Sequence, residues 1–507
     1  MRNEARSACR SLVLRAGCTL AIALAACGDG DSSTPRSNVN RVNPAVSALL
    51  SSVDAIGVGG SALLSNNPTR ADLALQANAK GASAQLRFSC TACNITVSSA
   101  TAVGATSVGA NQYIVIPFPT LDDASNASIV VTDNVSGQTA QYTLHARPLD
   151  YVRYSFGATA PQAGDLYVAP FDPQGFGAPY AYIIEGDGSL KYYYRNPRGR
   201  DIHDFKKTVI PGGAIRYSFY DSAAAAIRVM DGAFNLLENV SALAFPDGNT
   251  YAVNLHDHTI VDDGHYIVGV YAAKTVSNIP SLPGQSLFVR GSGLQEIQGG
   301  AAVFNWLSTD HPELYACSTE GNGYAQNNGA DYAHWDSLRV DADGHWIASF
   351  RHLDAALKID RSTGAIRWIL GGPCDQFGLA ATQKFSHQHD ASRAPDGRLS
   401  LFDNGNGRAA SRVLAFNLDE AAKTLITSNQ ALPGFAEFTS DMHQSFNLGS
   451  AQMFASGKGL VGWGEFSGRL NDVSEFDLAS GAQSMRLTLL PSAYSNGYFS
   501  DRARKFP

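Results

Sequence analysis

Four histidines recur at one phase of a repeating segment: His256, His334, His389 and His443, separated by 78, 55 and 54 residues. Each opens a stretch with an apolar-alternating run, a glycine-containing turn and a second β-type run, as in HDHTIVDDGHYIVGVY from His256 and HDASRAPDGRLSLFDNG from His389. Histidine is only 12 of 507 residues, so a shared phase for four of them is a signal beyond composition. Imidazoles gathered from separate repeats could attack as neutral nucleophiles, carry a proton near neutrality, or ligate a metal ion.

Such residues meet only if the fold brings them to a common axis. A period of about 60 residues built from paired β runs is the mark of a radially repeated β architecture, in which equivalent positions face one channel. GDLYVAPFDPQ with AYIIEGDGSLKYYY reads as one blade and TVIPGGAIRYSFYD with AIRVMDGAF as the next; the four His-led repeats complete six. The predicted fold is therefore all-β, a six-bladed β-propeller over 149–507 preceded by a small N-terminal β-sandwich over 45–148. The sandwich strands read ADLALQANA, AQLRFSCTA, NITVSSATA, NQYIVIPFP, ASIVVTDN and TAQYTLHARP, in antiparallel order. Residues 275–333 carry few strand signals and are expected to form an excursion of the third blade, a lid or rim at the channel mouth. The only stretch with a helical look is Leu418 to Ala422.

Hydrophobic content of 44% and 48 glycines fit a folded, turn-rich β protein. A net charge of −7 with 38 Lys+Arg provides no basic stripe, which argues against nucleic acid as a partner. Residues 1–26 read as a signal peptide, with Arg2, Arg6, Arg10 and Arg15 ahead of a short apolar core. It ends Leu24-Ala25-Ala26-Cys27, which resembles the lipobox of bacterial lipoproteins. That resemblance implies cleavage before Cys27 and its lipidation, leaving residues 27–44 as a polar tether. The expected location is the periplasm-facing cell envelope, with the outer membrane favoured over the inner because Gly28 replaces a retention Asp; an ordinary secretory signal is the alternative. Four cysteines remain, Cys90, Cys93, Cys317 and Cys374, an even number suited to disulfides in an exported chain. Cys90 and Cys93 would close a small loop. A Cys317–Cys374 pair would contribute about 4 kcal/mol in the chain-entropy account.

The segments His334-Trp335-Asp336-Ser337-Leu338, Ser349-Phe350-Arg351-His352, Trp368-Ile369-Leu370-Gly371-Gly372, Ser386-His387-Gln388-His389-Asp390 and Leu401-Phe402-Asp403-Asn404-Gly405 fall in an order that resembles the bacterial arylsulfotransferases. These are six-bladed propellers that move a sulfuryl group between phenols, and the resemblance spans about residues 150 to 490. It implies His389 as the nucleophile that becomes sulfated, with His334, Arg351 and His256 completing the centre; His256 is chosen over His258. It further implies a ping-pong cycle, small aryl sulfate donors and phenolic acceptors, no cofactor and no metal. No nucleotide sulfate donor is implied, and no phosphate-binding GxxxxGK[ST] loop is present. His443, Asp336 and His258 are added as substrate-binding candidates. Asp336 departs from the family, which commonly has Asn there, and a carboxylate beside a sulfate ester opposes anion binding unless it is paired or turned away. Homodimerisation is left open. A metal-dependent propeller lyase or hydrolase and a non-catalytic binding propeller are the alternative functions.

Overall fold

The computed structural model describes 52–56, 62–64, 71–77, 83–89, 93–98, 107–108, 113–117, 126–135, 137, 139–148 and 150–507, apart from 197, 321–328, 428–434, 439–443, 467–471, 492–494 and 496. The signal peptide, Cys27 with its tether, Cys90, the Cys93 side chain and His443 lie outside the described residues. None of the described helices is long and apolar enough to cross a membrane.

The N-terminal part forms two sheets that include all six expected strands. One has three strands, Ser52–Ile56, Ser83–Ser89 and Tyr113–Pro117. The other has six, and there Ala71–Ala77 pairs parallel with Thr139–Pro148, a departure from the expected antiparallel order.

The remainder is a six-bladed propeller. Its inner strands are Phe499–Phe506 (blade 1), Ile202–Val209 (blade 2), Ala252–Asp262 (blade 3), Trp335–Val340 (blade 4), His389–Arg393 (blade 5) and Ser450–Met453 (blade 6). Each touches the next around a closed ring. Closure is double: the late strand Phe499–Phe506 pairs with Asp165–Phe171 inside blade 1, and the early strand Tyr154–Ala158 adds to the outer edge of blade 6. The hairpins after three inner strands turn on Gly264, Gly344 and Gly397 at positive φ, conformations that glycine adopts without a Cβ penalty. Middle strands such as Tyr180–Ile184 and Ala355–Ile359 are buried along their whole length because sheets cover both faces. Between blades 3 and 4 the apolar layer packs Ile267, Leu294 and Trp306 against Trp335, Trp346 and Leu357.

The expected excursion over 275–333 is corrected. Leu287–Gln298 and Ala301–Leu307 are full outer strands of blade 3, and Ser308–Cys317 leaves the sheet through two 3₁₀ turns. Cys317 in the second turn is disulfide-bonded to Cys374 after blade 4, tying that excursion down. Residues 418–422 are a two-residue strand and a turn, not a helix.

Candidate active site

The inner strands begin irregularly, and that irregularity aims the imidazoles. Register shifts fall between His203 and Lys206, Val253 and His258, Trp335 and Ser337, and His389 and Ser392. A bulge at a strand start re-aims side chains that strict alternation would send elsewhere. His334 takes φ +51, Asp204 +52 and Asp390 +59, left-handed conformations that surrounding structure must enforce.

The result is one cavity of about 350 Å³ at the channel mouth, lined by His256, His334, Arg351 and His389. All four residues expected in the centre therefore converge, from blades 3, 4 and 5. The His256 ring lies 5.2 Å from that of His334 and 6.2 Å from that of His389, centroid to centroid. The same cavity is also lined by Phe171, Asp172, Pro173, Arg200, Asp201 and His203 from blades 1 and 2.

Each imidazole of the first wall is tied back through Nδ1. His389 Nδ1 lies 2.7 Å from Asn404 Oδ1, whose amide nitrogen donates to the carbonyls of Ser445 and Leu448. Those carbonyls only accept, so the amide orientation is fixed and His389 Nδ1 must carry the proton. His256 Nδ1 sits in the same way 2.7 Å from Asn254 Oδ1, and Asn254 donates to the Trp335 carbonyl. Both rings therefore present an unprotonated Nε2 to the cavity. Burial holds both imidazoles well below the usual histidine range, aided at His256 by His334 and at His389 by the Arg351 charge. His334 Nδ1 lies 2.6 Å from Asp331 Oδ2. Burial pushes the Asp331 carboxyl up, but its hydrogen bond to His334 and the fields of His334 and His352 outweigh it and keep the group ionised below its ordinary range.

Arg351 is aimed by three contacts. Nη1 lies 2.7 Å from His352 Nε2, and Nη2 donates to Asn447 Oδ1 at 3.0 Å and the Phe446 carbonyl at 3.3 Å. His352 can accept because its Nδ1 donates to the Asp331 carbonyl at 2.6 Å, and burial with the nearby His334 pulls its pKa down to about 4. Asp331, His334 and His352 are close enough to share a metal ion. The Arg351 guanidinium, with Nη1 2.7 Å from His352 Nε2, sets a permanent positive charge beside that group, which opposes a cation there.

Two substrate-binding candidates are displaced from the cavity. His258, past the bulge, packs against blade 2, with Nε2 2.7 Å from Ser218 Oγ and Nδ1 3.5 Å from Asp204. Asp336 is fully buried behind the wall, where Ser349 Oγ donates to it at 3.3 Å and burial drives its carboxyl well above the usual range. The departure from the family's Asn is thus turned away from the cavity. His387 reaches Glu320 at 3.1 Å and leaves the cavity to His389.

Sequence reasoning missed His203, Asn254, Asn404 as a positioning residue, Asp331 and His352. His203 had a signal: His203-Asp204 repeats the dipeptides at 256–257 and 389–390, 53 residues before His256.

Residues 236–480 match the family model described as Arylsulfotransferase (ASST). That stretch of the chain belongs to the arylsulfotransferase family. It contains the whole first wall of the cavity. No curated protein matches the chain. Among solved structures, a protein of unknown function from Bacteroides caccae is similar at 12% identity and a TM-score of 0.41, covering 68% of this chain and 98% of its own. A catalytically inactive variant of virginiamycin B lyase from Staphylococcus aureus, with quinupristin, is similar at 12% identity and a TM-score of 0.31, covering 67% and 100%.

Proposed function

We propose that the cavity transfers a sulfuryl group from an aryl sulfate to a phenol through a sulfated His389. The observation that carries this reading is the pairing of a neutral, amide-oriented His389, its Nε2 open to the cavity, with the Arg351 guanidinium on the same wall. A neutral imidazole is a competent nucleophile near neutrality. Nε2 attacks sulfur, the S–O bond to the aryl ring breaks, and its electron pair leaves with the phenolic oxygen. A second phenol then attacks the sulfur and returns the electron pair to Nε2. By analogy with phosphoryl transfer the transition state is loose, with charge on the peripheral oxygens. Arg351, with His334 supported by Asp331, is placed to stabilise that charge, and loss of one such donor costs roughly 3 kcal/mol. His256, neutral and fixed by Asn254, completes the wall.

The compartment reading accompanies this one. The basic, apolar and Leu24-Ala25-Ala26-Cys27 sequence supports export and lipid anchoring in the cell envelope, and the Cys317–Cys374 disulfide suits an oxidising compartment.

The test is phenol-dependent release from a chromogenic aryl sulfate, with mass analysis of the peptide bearing His389. Wild type should turn over and acquire one sulfuryl group there. His389→Ala should lose both, with turnover falling by at least about 10⁴-fold. Turnover that survives in His389→Ala, or a label on another residue, refutes the assignment.

A further inference from the structure

Moving a sulfuryl group between phenols also moves a proton, and the second wall of the cavity holds a group built differently from the imidazoles described so far. His203 sits on the blade 2 inner strand and lines the same cavity as His389. Among the described residues no side-chain amide ties back its ring. Carboxylates flank both nitrogens: Nδ1 lies 3.3 Å from Asp501 Oδ2 on the blade 1 inner strand, and Nε2 lies 3.8 Å from Asp201 Oδ1, a cavity-lining residue. Asp501 is completely buried, and neither of its carboxylate oxygens has a hydrogen-bond partner among the described residues. A buried carboxylate held in that state needs a cation against it. Phe171 covers the ring at 4.9 Å between centroids. The other titratable or charged neighbours are Tyr220 at 6.4 Å, His256, Arg502, whose Nε is 3.9 Å from Asp501, and Arg200 on the cavity wall.

Resting on the proposed sulfuryl transfer, we propose that His203 is the proton carrier for the phenolic oxygen. In the first half-reaction the S–O bond breaks toward the aryl oxygen, which takes the proton from His203 Nε2 and leaves as a neutral phenol. In the second half-reaction the acceptor phenol returns a proton to His203 Nε2 as its oxygen bonds to sulfur and the N–S bond to His389 breaks. The enzyme ends as it began.

The electrostatics agree with this placement. Burial alone would lower the His203 pKa, but Asp201 and Asp501 outweigh it and hold it up at about 9. A phenol titrates near 10, so proton exchange with such a group is close to balanced in both directions. His256 and His389, held neutral with Nε2 unprotonated, have no proton there to give.

The experiment compares two donors in single-turnover labelling of His389. p-Nitrophenyl sulfate releases a phenolate that is stable without a proton; phenyl sulfate does not. His203→Gln should slow labelling from phenyl sulfate by about 10²–10⁴-fold and from p-nitrophenyl sulfate by far less. Equal losses with the two donors, or no loss with either, overturn the role of His203. Absence of label in wild type overturns the sulfuryl-transfer reading itself, which separates the two failures. If His203→Gln does not fold, Asp501→Asn serves: without that carboxylate the His203 pKa falls, and the alkaline limb of the phenyl sulfate rate should move to lower pH. An unmoved limb overturns the proposal.

Discussion

Consecutive residues on the same inner strands build two tiers of this propeller, and the tiers are satisfied in opposite ways. In the upper tier, His256 and His389 each spend one ring nitrogen on an Asn amide and leave the other facing the cavity. One residue later, Asp257 and Asp390 face the channel and are fully engaged. Asp257 binds Lys206, Arg339, Arg502 and the Leu338 amide; Asp390 binds Arg504, Arg339, Arg502 and the Ala451 amide. The upper tier keeps capacity open for a substrate. The lower tier has none left and instead locks strands from all six blades together. The difference teaches that a repeated His-Asp dipeptide can separate chemistry from stability by a single step along the backbone, because the bulge turns neighbouring side chains to different levels.

The sharpest way to break this comparison is to disturb the lower tier alone. Arg504→Met leaves Asp390 under-compensated and should cost about 3–5 kcal/mol of stability, read as a lower denaturation midpoint. Turnover per folded molecule should hold; a loss of turnover at unchanged stability would erase the division. The reverse expectation applies above. Arg351→Ala should cost about 10²–10³-fold in kcat at nearly unchanged stability, measured with any reactive aryl sulfate.

His203 links the tiers and should give the protein a pH-dependent stability. Its pKa is raised to about 9 from an unfolded value of 6.5, so its contribution is complete below about pH 6.5 and is lost as pH rises through about 9. The shift corresponds to roughly 3 kcal/mol. Melting curves should show this alkaline loss in wild type and a smaller one in His203→Gln; identical curves would remove His203 from the account. The smallest effect concerns aim. His352→Phe removes the acceptor for Arg351 and should lower kcat by about 10-fold with KM little changed, with partial recovery in His352→Gln, whose carbonyl can accept from the guanidinium. A change in KM alone would assign His352 to binding.

The six blades were legible because hairpins repeat with glycine turns, the three central imidazoles because histidine is scarce and recurs at one phase of the repeat, and Arg351 through the Ser349-Phe350-Arg351 segment that carries the family resemblance. What escaped has physical reasons. Leu287–Gln298 was hidden by Gly291 and Gly293, which dilute its apolar pattern; a Cβ on either would fall 2.8 Å from Thr309 or 2.7 Å from Leu307, so close packing demands glycine there. His258 was placed in the cavity because a bulge cannot be seen in one sequence. Asn254 and Asn404 act by orienting imidazoles across a turn, a role that amide side chains do not advertise. Asp331 reaches His334 from a two-residue strand paired in parallel with Val289 and Arg290, a pairing without local signature. His203 was legible and overlooked, since the repeat was aligned from His256 onward.

The strand Phe499–Phe506 supplies Asp501 to His203, and Arg502 and Arg504 to the carboxylates below. The strand that closes the ring is thus also the strand that completes the centre, so a change that frees it would loosen the blade 1 to blade 6 seam and unsettle the cavity in a single step.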